Sequence, residues 1–375
     1  MIPVLKVAMD SDGALRRVAD VLHSGRLEHG PVVDEFEREL ARRVGNPYAV
    51  AVDSNTSGIH LGLRLATTVT GGDEPRDGEV LSTPLTFEAT NWPILACGLR
   101  IRWVDIDPAT LTIDLDDLAS KITPATRAIS LVHWMGYPVD EDRLRQVLDA
   151  AEAQHGVRPI VVEDCAHAWG STYRGRPLGN QGNISVFSFQ AIKHLTSGSG
   201  GLVVLPDAQS HERAKRLRWF GIDRAADRVH ADYDVPEWGY RFQMNEVSGA
   251  IGLANLEAVD ARVERHRKNA AFYDRELANV PGLEHTERAA DRESSFWMYP
   301  LKVDDRPEFM RKLEAADIMS TVLSRRNDLH SCVERYAEPL PGLDSVADRI
   351  VHIPVGWWVS DEDREHIVDT IRSGW

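Results

Sequence analysis

The side chain with the most reactive setting in this sequence is Lys193, in the run Ser185-Val-Phe-Ser-Phe-Gln-Ala-Ile-Lys-His-Leu-Thr-Ser-Gly-Ser-Gly-Gly201. A short apolar strand leads to it, and Gly198, Gly200 and Gly201 let the following backbone pass close to another group. A lysine held away from water at such a turn loses its proton near neutrality and can attack a carbonyl. The run Ile160-Val-Val-Glu-Asp-Cys-Ala-His-Ala168 closes a second buried strand on carboxylates, with His167 three residues beyond Asp164. In α/β folds the carboxyl ends of strands are where ligands sit. In Asp53-Ser-Asn-Thr-Ser-Gly58, small hydroxyl residues lie between a strand and a helix, where free N–H groups and the helix dipole favour phosphate. Taken alone, those residues read first as a plain helix cap, and become a phosphate site only when other residues point to the same ligand. Phe87, in Ser82-Thr-Pro-Leu-Thr-Phe-Glu-Ala-Thr90, follows a strand and could lie against a flat ring, although core packing is the commoner fate of a phenylalanine.

A reactive amine beside a buried aspartate is the pair that pyridoxal 5'-phosphate (PLP) requires: one joins its aldehyde, the other keeps its ring nitrogen protonated. Two other readings of Asp164 are weaker. A ribose contact in a nicotinamide oxidoreductase needs a Gly-x-Gly-x-x-Gly after the first strand, and none is present. A metal held by Asp164, His167 and His133 lacks any paired spacing such as His-Glu-x-x-His, so no metal is expected. Lys193 could also be an ordinary exposed turn lysine; Ser188 and the glycines shift the balance.

The 375 residues favour two lobes, and 43% hydrophobic with 27% charged residues is ordinary for a globular protein. A formal charge of −15 and the lack of a basic stretch argue against nucleic acid as a partner. Cys97, Cys165 and Cys332 are few and scattered, which suits a reducing cytoplasm and gives neither a disulfide framework nor a zinc spacing. No signal peptide is expected at Met-Ile-Pro-Val-Leu-Lys, nor any membrane span.

The elements that must position these residues alternate through the first two thirds of the chain. Val33, Phe36, Leu40 and Val44 mark a helix face. Strands are expected at 48–52, 79–82, 101–105, 127–132, 160–163, 184–189 and 201–205. The stretch 58–66 alternates as a strand would, but Ser54-Asn-Thr-Ser57 is a helix start, so a buried helix is expected. A polar loop at 221–237 precedes a helical pattern through Met244, Val247, Ile251, Ala254 and Ala258, then a charged helix at 262–277. The second lobe should open with a strand at 295–303, followed by a helix near 307–316, a loop rich in Arg, Asn and His, and a last helix near Ser360.

These segments together resemble the DegT/DnrJ/EryC1/StrS family of PLP-dependent sugar aminotransferases. The likeness is collinear over nearly the whole chain, including Gly30-Pro-Val-Val-Asp-Glu-Phe-Glu37, Val104-Asp-Ile-Asp-Pro108, Val132-His-Trp-Met-Gly-Tyr-Pro138, Gly175-Arg-Pro-Leu-Gly179 and Gly239-Tyr-Arg-Phe-Gln-Met-Asn-Glu246. Phe-Gln-Ala-Ile-Lys-His-Leu-Thr together with Leu-Arg-Trp-Phe-Gly-Ile-Asp-Arg224 is most similar to nucleotide-sugar C4 aminotransferases of enediyne and indolocarbazole antibiotic pathways. The resemblance implies fold type I: a large mixed-sheet α/β domain at 1–255 and a smaller C-terminal α+β domain at 256–375. It implies Lys193 joined to PLP, Asp164 at the pyridine nitrogen, His167 at the phenolate oxygen and Phe87 stacked on the ring. Thr56, Ser57 and Ser188 would hold the phosphate, and Asn245 would reach the phosphate of a neighbouring subunit, giving a cytoplasmic homodimer with shared sites.

The implied reaction moves an amino group from glutamate to C4 of a dTDP-4-keto-6-deoxy sugar. Action at C3, on a cyclitol ketone, or as a non-catalytic PLP-binding regulator are the alternatives. Pyrophosphate charges would fall to Arg218, Arg241, Arg325, Arg326 or His330, and a base could stack on a tryptophan at 219, 238, 357 or 358. Two departures from the family pattern stand out. Ser54-Asn-Thr56 replaces the usual Ser-Gly-Thr, and Ser199 replaces an acid before the double glycine.

Overall fold

Short apolar strands that are buried on both faces have to stack in the middle of a layered molecule, and seven of them do so here. A computed structural model of the chain describes residues 1–68, 78–223 and 233–375. The strands are β1 (Ala49–Val52), β2 (Glu79–Ser82), β3 (Arg100–Trp103), β4 (Thr126–Val132), β5 (Ile160–Asp164), β6 (Ile184–Ser188) and β7 (Gly201–Val204). Their order in the sheet is β1-β7-β6-β5-β4-β2-β3. Strand β7 runs antiparallel to both its neighbours, while the remaining pairs are parallel. Val132 pairs with Asp164, and both Val52 and Ser188 pair with Gly201, so the carboxyl ends of β1, β4, β5 and β6 meet at one edge.

Helices α1 (Ser11–Ser24), α2 (Pro31–Val44) and α3 (Asn55–Thr67) flank the first strand. In α2 the expected Val33, Phe36, Leu40 and Val44 are the buried residues. The stretch 58–66 is helical, as its cap indicated. Its apolar alternation misleads because α3 packs against several strands as well as neighbouring helices, burying Ile59, Leu61, Gly62, Leu63 and Leu65 alike. Helices α4 (Glu88–Ala96), α5 (Leu115–Lys121), α6 (Glu141–His155) and α7 (Ala208–Leu217) complete the layers around the sheet.

The pattern expected from Met244 to Ala258 is helix α8 (Glu246–Leu256), and a short break at Ala258 separates it from α9 (Val259–Glu276). A second, antiparallel sheet follows, ordered β8 (Leu283–His285), β9 (Tyr299–Val303) and β10 (Ile350–Ile353). Helices α10 (Arg306–Ala315) and α12 (Asp361–Arg372) pack on it, with α11 (Pro341–Val346) between them in the chain. Tyr273, Tyr299, Leu313, Val351, Ile367 and Ile371 form its core.

The strand expected at 295–303 begins only at Tyr299. Residues 294–297 are held otherwise: the Ser295 amide donates to Ser171 Oγ at 3.0 Å, and the Trp297 amide donates to the Met135 carbonyl at 3.1 Å. Arg224 and much of the expected polar loop lie outside the described residues.

Candidate active site

The sheet edge that gathers the strand ends opens on a cavity of about 240 Å³, lined among others by Thr56, Phe87, Asp164, His167, Ser188, Lys193 and Trp297. A larger cleft, about 630 Å³, lies at the opposite sheet edge, around Glu141, Arg145, Arg158 and Ile160. No lysine lines it among the described residues. The chemistry belongs to the smaller cavity.

Asp164 ends β5 as expected, and its carboxylate is tightly held. Oδ2 accepts from Thr90 Oγ1 at 2.6 Å; Oδ1 accepts from Asn55 Nδ2 at 3.2 Å and from the Ala166 amide at 2.9 Å. Thr86 and Thr90 share a hydrogen bond of 2.6 Å between their hydroxyls, which extends this network one residue further.

Lys193 follows β6 on a turn closed by its own amide, which donates to the Gln190 carbonyl at 3.0 Å. The residue stays partly open to the cavity, but protein surrounds its amine. That burial pulls the amine down to about 7, while the negative charge of Asp164 works in the opposite direction. Nζ lies 3.5 Å from the centroid of the Trp297 ring. His167 stacks on the same tryptophan, with ring centroids 4.1 Å apart and planes at 13°. Burial, aided by the charge of Lys193, holds its imidazole well below the ordinary histidine range, so it is neutral at pH 7.

The loop into α3 presents hydroxyls as its sequence indicated. Ser54 caps the helix by accepting from the Ser57 amide at 3.1 Å, and Thr56 is exposed at the cavity. Ser57 is engaged with Ser54, hydroxyl to hydroxyl at 2.9 Å, and is not among the residues lining the cavity. Ser188 ends β6 at the wall. Phe87 is 53% exposed yet lines the cavity, so it is not a core residue. Gly201 is required by packing, since a Cβ there would sit 2.9 Å from the Asn55 nitrogen and the Phe187 carbonyl oxygen. Ser199, in place of the family acid, donates to the Asp53 carbonyl at 3.0 Å.

Other expected residues lie elsewhere. Asn245 is exposed, caps α8 by accepting from the Ser248 amide at 2.9 Å, and does not line the cavity of its own chain. Arg218 is buried on Glu37 at 2.6 Å. Arg241 pairs with Glu28, Arg326 with Asp328 and Asp344, and His330 with Glu88. Arg325 is exposed, and among the described residues no ion pair involves it. Trp358 packs in the second sheet's core, whereas Trp238 is 53% exposed beneath the Arg64 guanidinium. His133 has its ring beside Glu163 and Cys165, and its amide donates to the Asp164 carbonyl at 3.1 Å; among the described residues it is not grouped with the Asp164 and His167 side chains.

Sequence reasoning missed three members of the site. Asn55 stands out in the sequence only as a departure from the family's Ser-Gly-Thr, and its side chain binds Asp164. Thr90 was quoted without a role. Trp297 was taken as part of a strand.

The DegT/DnrJ/EryC1/StrS aminotransferase family matches residues 9–372. The chain belongs to that family. It is 63% identical to the sugar aminotransferase CalS13 from Micromonospora echinospora, with a TM-score of 0.97 and 100% of both chains covered. It is 62% identical to AtS13 from Actinomadura melliaura, also at a TM-score of 0.97, covering 100% of this chain and 99% of the other. A PLP-form structure of the sugar aminotransferase Spr1654 from Streptococcus pneumoniae is 25% identical, with a TM-score of 0.88 over 99% and 98% of the two chains. The chain is thus a PLP-dependent sugar aminotransferase of fold type I.

The cavity suits that cofactor on its own chemistry. It offers an amine that titrates near neutrality and a fixed carboxylate. His167 Nδ1 is buried with no hydrogen-bond partner among the described residues, and hydroxyls stand at a helix start.

Proposed function

We propose that this enzyme transfers the amino group of glutamate to C4 of a 4-keto-6-deoxy sugar carried on a nucleoside diphosphate (dTDP), in aminodeoxysugar synthesis for a glycosylated secondary metabolite. The observation that carries it is the juxtaposition, in one cavity, of the Lys193 amine with the clamped Asp164 carboxylate. The choice of C4, dTDP and glutamate rests on the family likeness. When bound, PLP supplies an aldehyde that joins an amine and a ring that takes up the electrons of a broken Cα–H bond.

On this reading the chain's own residues bind and move protons. Lys193 Nζ would hold the cofactor and, once the amino donor has displaced it, would be a free amine with a value near 7, able to take or return a proton at the reacting carbon. Asp164, its oxygens fixed by Thr90 and Asn55, faces the ring nitrogen and favours its protonated form. His167, neutral and held against Trp297, would meet the phenolate oxygen through a ring nitrogen that has no hydrogen-bond partner among the described residues. Phe87 would lie against the ring, and Thr56 and Ser188, with Ser57 if its hydroxyl turns from Ser54, would receive the phosphate with the amides of the α3 start.

Asn245 lies outside its own cavity, which fits a homodimer in which it serves the neighbouring site. The reading also divides the chain at residue 256, in keeping with a second sheet that has its own core, and places the enzyme in the cytoplasm.

The test is incubation of the PLP-loaded protein with glutamate and dTDP-4-keto-6-deoxyglucose. Release of 2-oxoglutarate and an amine at C4 by NMR is the expected result. An amine at C3, or turnover only with another donor, overturns the assignment.

A further inference from the structure

We propose that Trp297 is a positioning residue of this site: its indole face seats the Lys193 amine and fixes the plane of His167. The inference rests on Lys193 as the residue that holds the cofactor.

Trp297 comes from the segment before β9, yet it is built into the catalytic turn. Its Nε1 donates to the Ile192 carbonyl at 2.9 Å, so the indole is tied to the residue preceding Lys193. Its amide is held by Met135, and only 3% of the residue is exposed. Phe296, immediately before it, sits at φ 49, a left-handed conformation that a bulky residue adopts only when its surroundings enforce it. Ser295 on one side of Phe296 and Trp297 on the other supply that enforcement: Ser295 Oγ donates to the His167 carbonyl at 3.0 Å, and its own carbonyl lies 3.1 Å from His194 Nε2. The indole therefore has no freedom to leave its place beneath Nζ.

Such a surface does two opposed things to an amine. It removes water, which favours the neutral form, and its π face attracts the ammonium, which favours the charged form. Together they keep the amine at one location in both protonation states, as a group that repeatedly takes up and gives back a proton requires. The titratable groups facing Lys193 are Asp164 from β5, His167 from the turn after it, and the neighbouring His194.

The experiment compares Trp297→Phe with Trp297→Leu in cofactor-free protein. The two replacements vacate a similar volume, and only one keeps an aromatic face. Acetylation of Lys193 by acetic anhydride is followed by peptide mass spectrometry from pH 5 to 10. The midpoint for the leucine variant should lie about 0.4–1.5 pH units below that for the phenylalanine variant, because the ammonium loses its π partner. Superimposed midpoints, or a higher one for leucine, overturn the proposal. If the leucine variant does not fold, Trp297→Met provides the ring-free comparison with the same expected direction. Borohydride reduction of PLP-loaded wild type with peptide mapping tests the underlying reading separately. An unmodified Lys193 there overturns its role as cofactor lysine and this inference with it, whereas modified Lys193 with superimposed midpoints removes only the role of Trp297.

Discussion

Asn55 Nδ2 donates to Asp164 Oδ1 at 3.2 Å and to the Val186 carbonyl at 3.1 Å, pinning the first residue of α3 to the ends of β5 and the middle of β6. One amide thus couples the helix start, where phosphate is expected, to the carboxylate expected at the ring nitrogen. Asn55→Ala removes one of two donors from each acceptor, the Ala166 amide staying on Asp164 Oδ1 and the Cys165 amide on the Val186 carbonyl, so two bonds worth about 0.5–1.5 kcal/mol each are lost. The expected outcome is a lower melting temperature and PLP affinity weakened about ten-fold, read by fluorescence titration of the cofactor-free protein. Unchanged affinity would show that the clamp does not prepare the cofactor site.

The amine of Lys193 titrates at about 7 because burial outweighs the attraction of Asp164. Asp164→Asn removes that attraction and keeps the shape, so the proton should leave at still lower pH. In cofactor-free protein the pH profile of Lys193 labelling should therefore move down from about 7, not up toward the ordinary lysine value. With PLP bound, turnover should fall by orders of magnitude, since the ring nitrogen loses the group that keeps it protonated. A labelling midpoint that rises in the variant contradicts this account of the site's electrostatics.

Where the chemistry depends on neighbours in sequence, it was readable. Lys193 and Asp164 each follow a short apolar strand, and that local pattern placed both at the sheet edge. The clamp on Asp164 was not readable, because Thr90 arrives from 74 positions away on a helix that carries an internal proline. The same holds for Asn327, which bonds Asn91 across 236 positions and brings the C-terminal part of the chain onto the sheet. Trp297 was obscured by its apolar neighbours. Ser295-Phe-Trp-Met-Tyr reads as strand, and long-range bonds, among them those to Ser171, Met135, Ile192 and His167, hold it in an irregular path. The alternation in 58–66 failed as a guide for a different reason: a helix buried on every side has no polar face to set its period.

Four buried histidines set the acid limit of the fold. Burial lowers His266 and His352 to about 4, and holds His167 and His194 well below their ordinary value. A base whose folded pKa is depressed contributes no penalty above about 6.5. Below that, the unfolded chain takes up protons first and stability is lost toward the folded value. His266 and His352 each remove roughly 3 kcal/mol by pH 4. Glu141, whose carboxyl is raised by burial and by Glu163, acts in the opposite sense but is one group against four. Calorimetry should show the melting temperature falling steadily from pH 6.5 to pH 4.5; a level trace over that range down to pH 5 contradicts the assignment of these rings as neutral.

Of the cations named from the sequence, Arg325 is the one without an ion pair among the described residues, and it is predicted to meet a substrate's pyrophosphate. Leu323, two residues before it, lines the cavity, while Ser324 Oγ and Asn327 Nδ2 both donate to the Thr86 carbonyl at 3.0 Å, fastening this loop above the site. The other cations considered are already committed: Arg218 to Glu37, Arg241 to Glu28, Arg326 to two aspartates, His330 to Glu88. An exposed arginine with no ion pair among the described residues loses little by binding an anion, and its planar head suits two phosphate oxygens at once. Arg325→Ala should raise KM for the nucleotide-sugar about ten-fold, leave KM for the amino donor unchanged and move stability by less than about 0.5 kcal/mol. Steady-state kinetics with each substrate varied in turn separates the two. Equal increases in both KM values would place the arginine's effect on the cavity as a whole and remove it from the pyrophosphate.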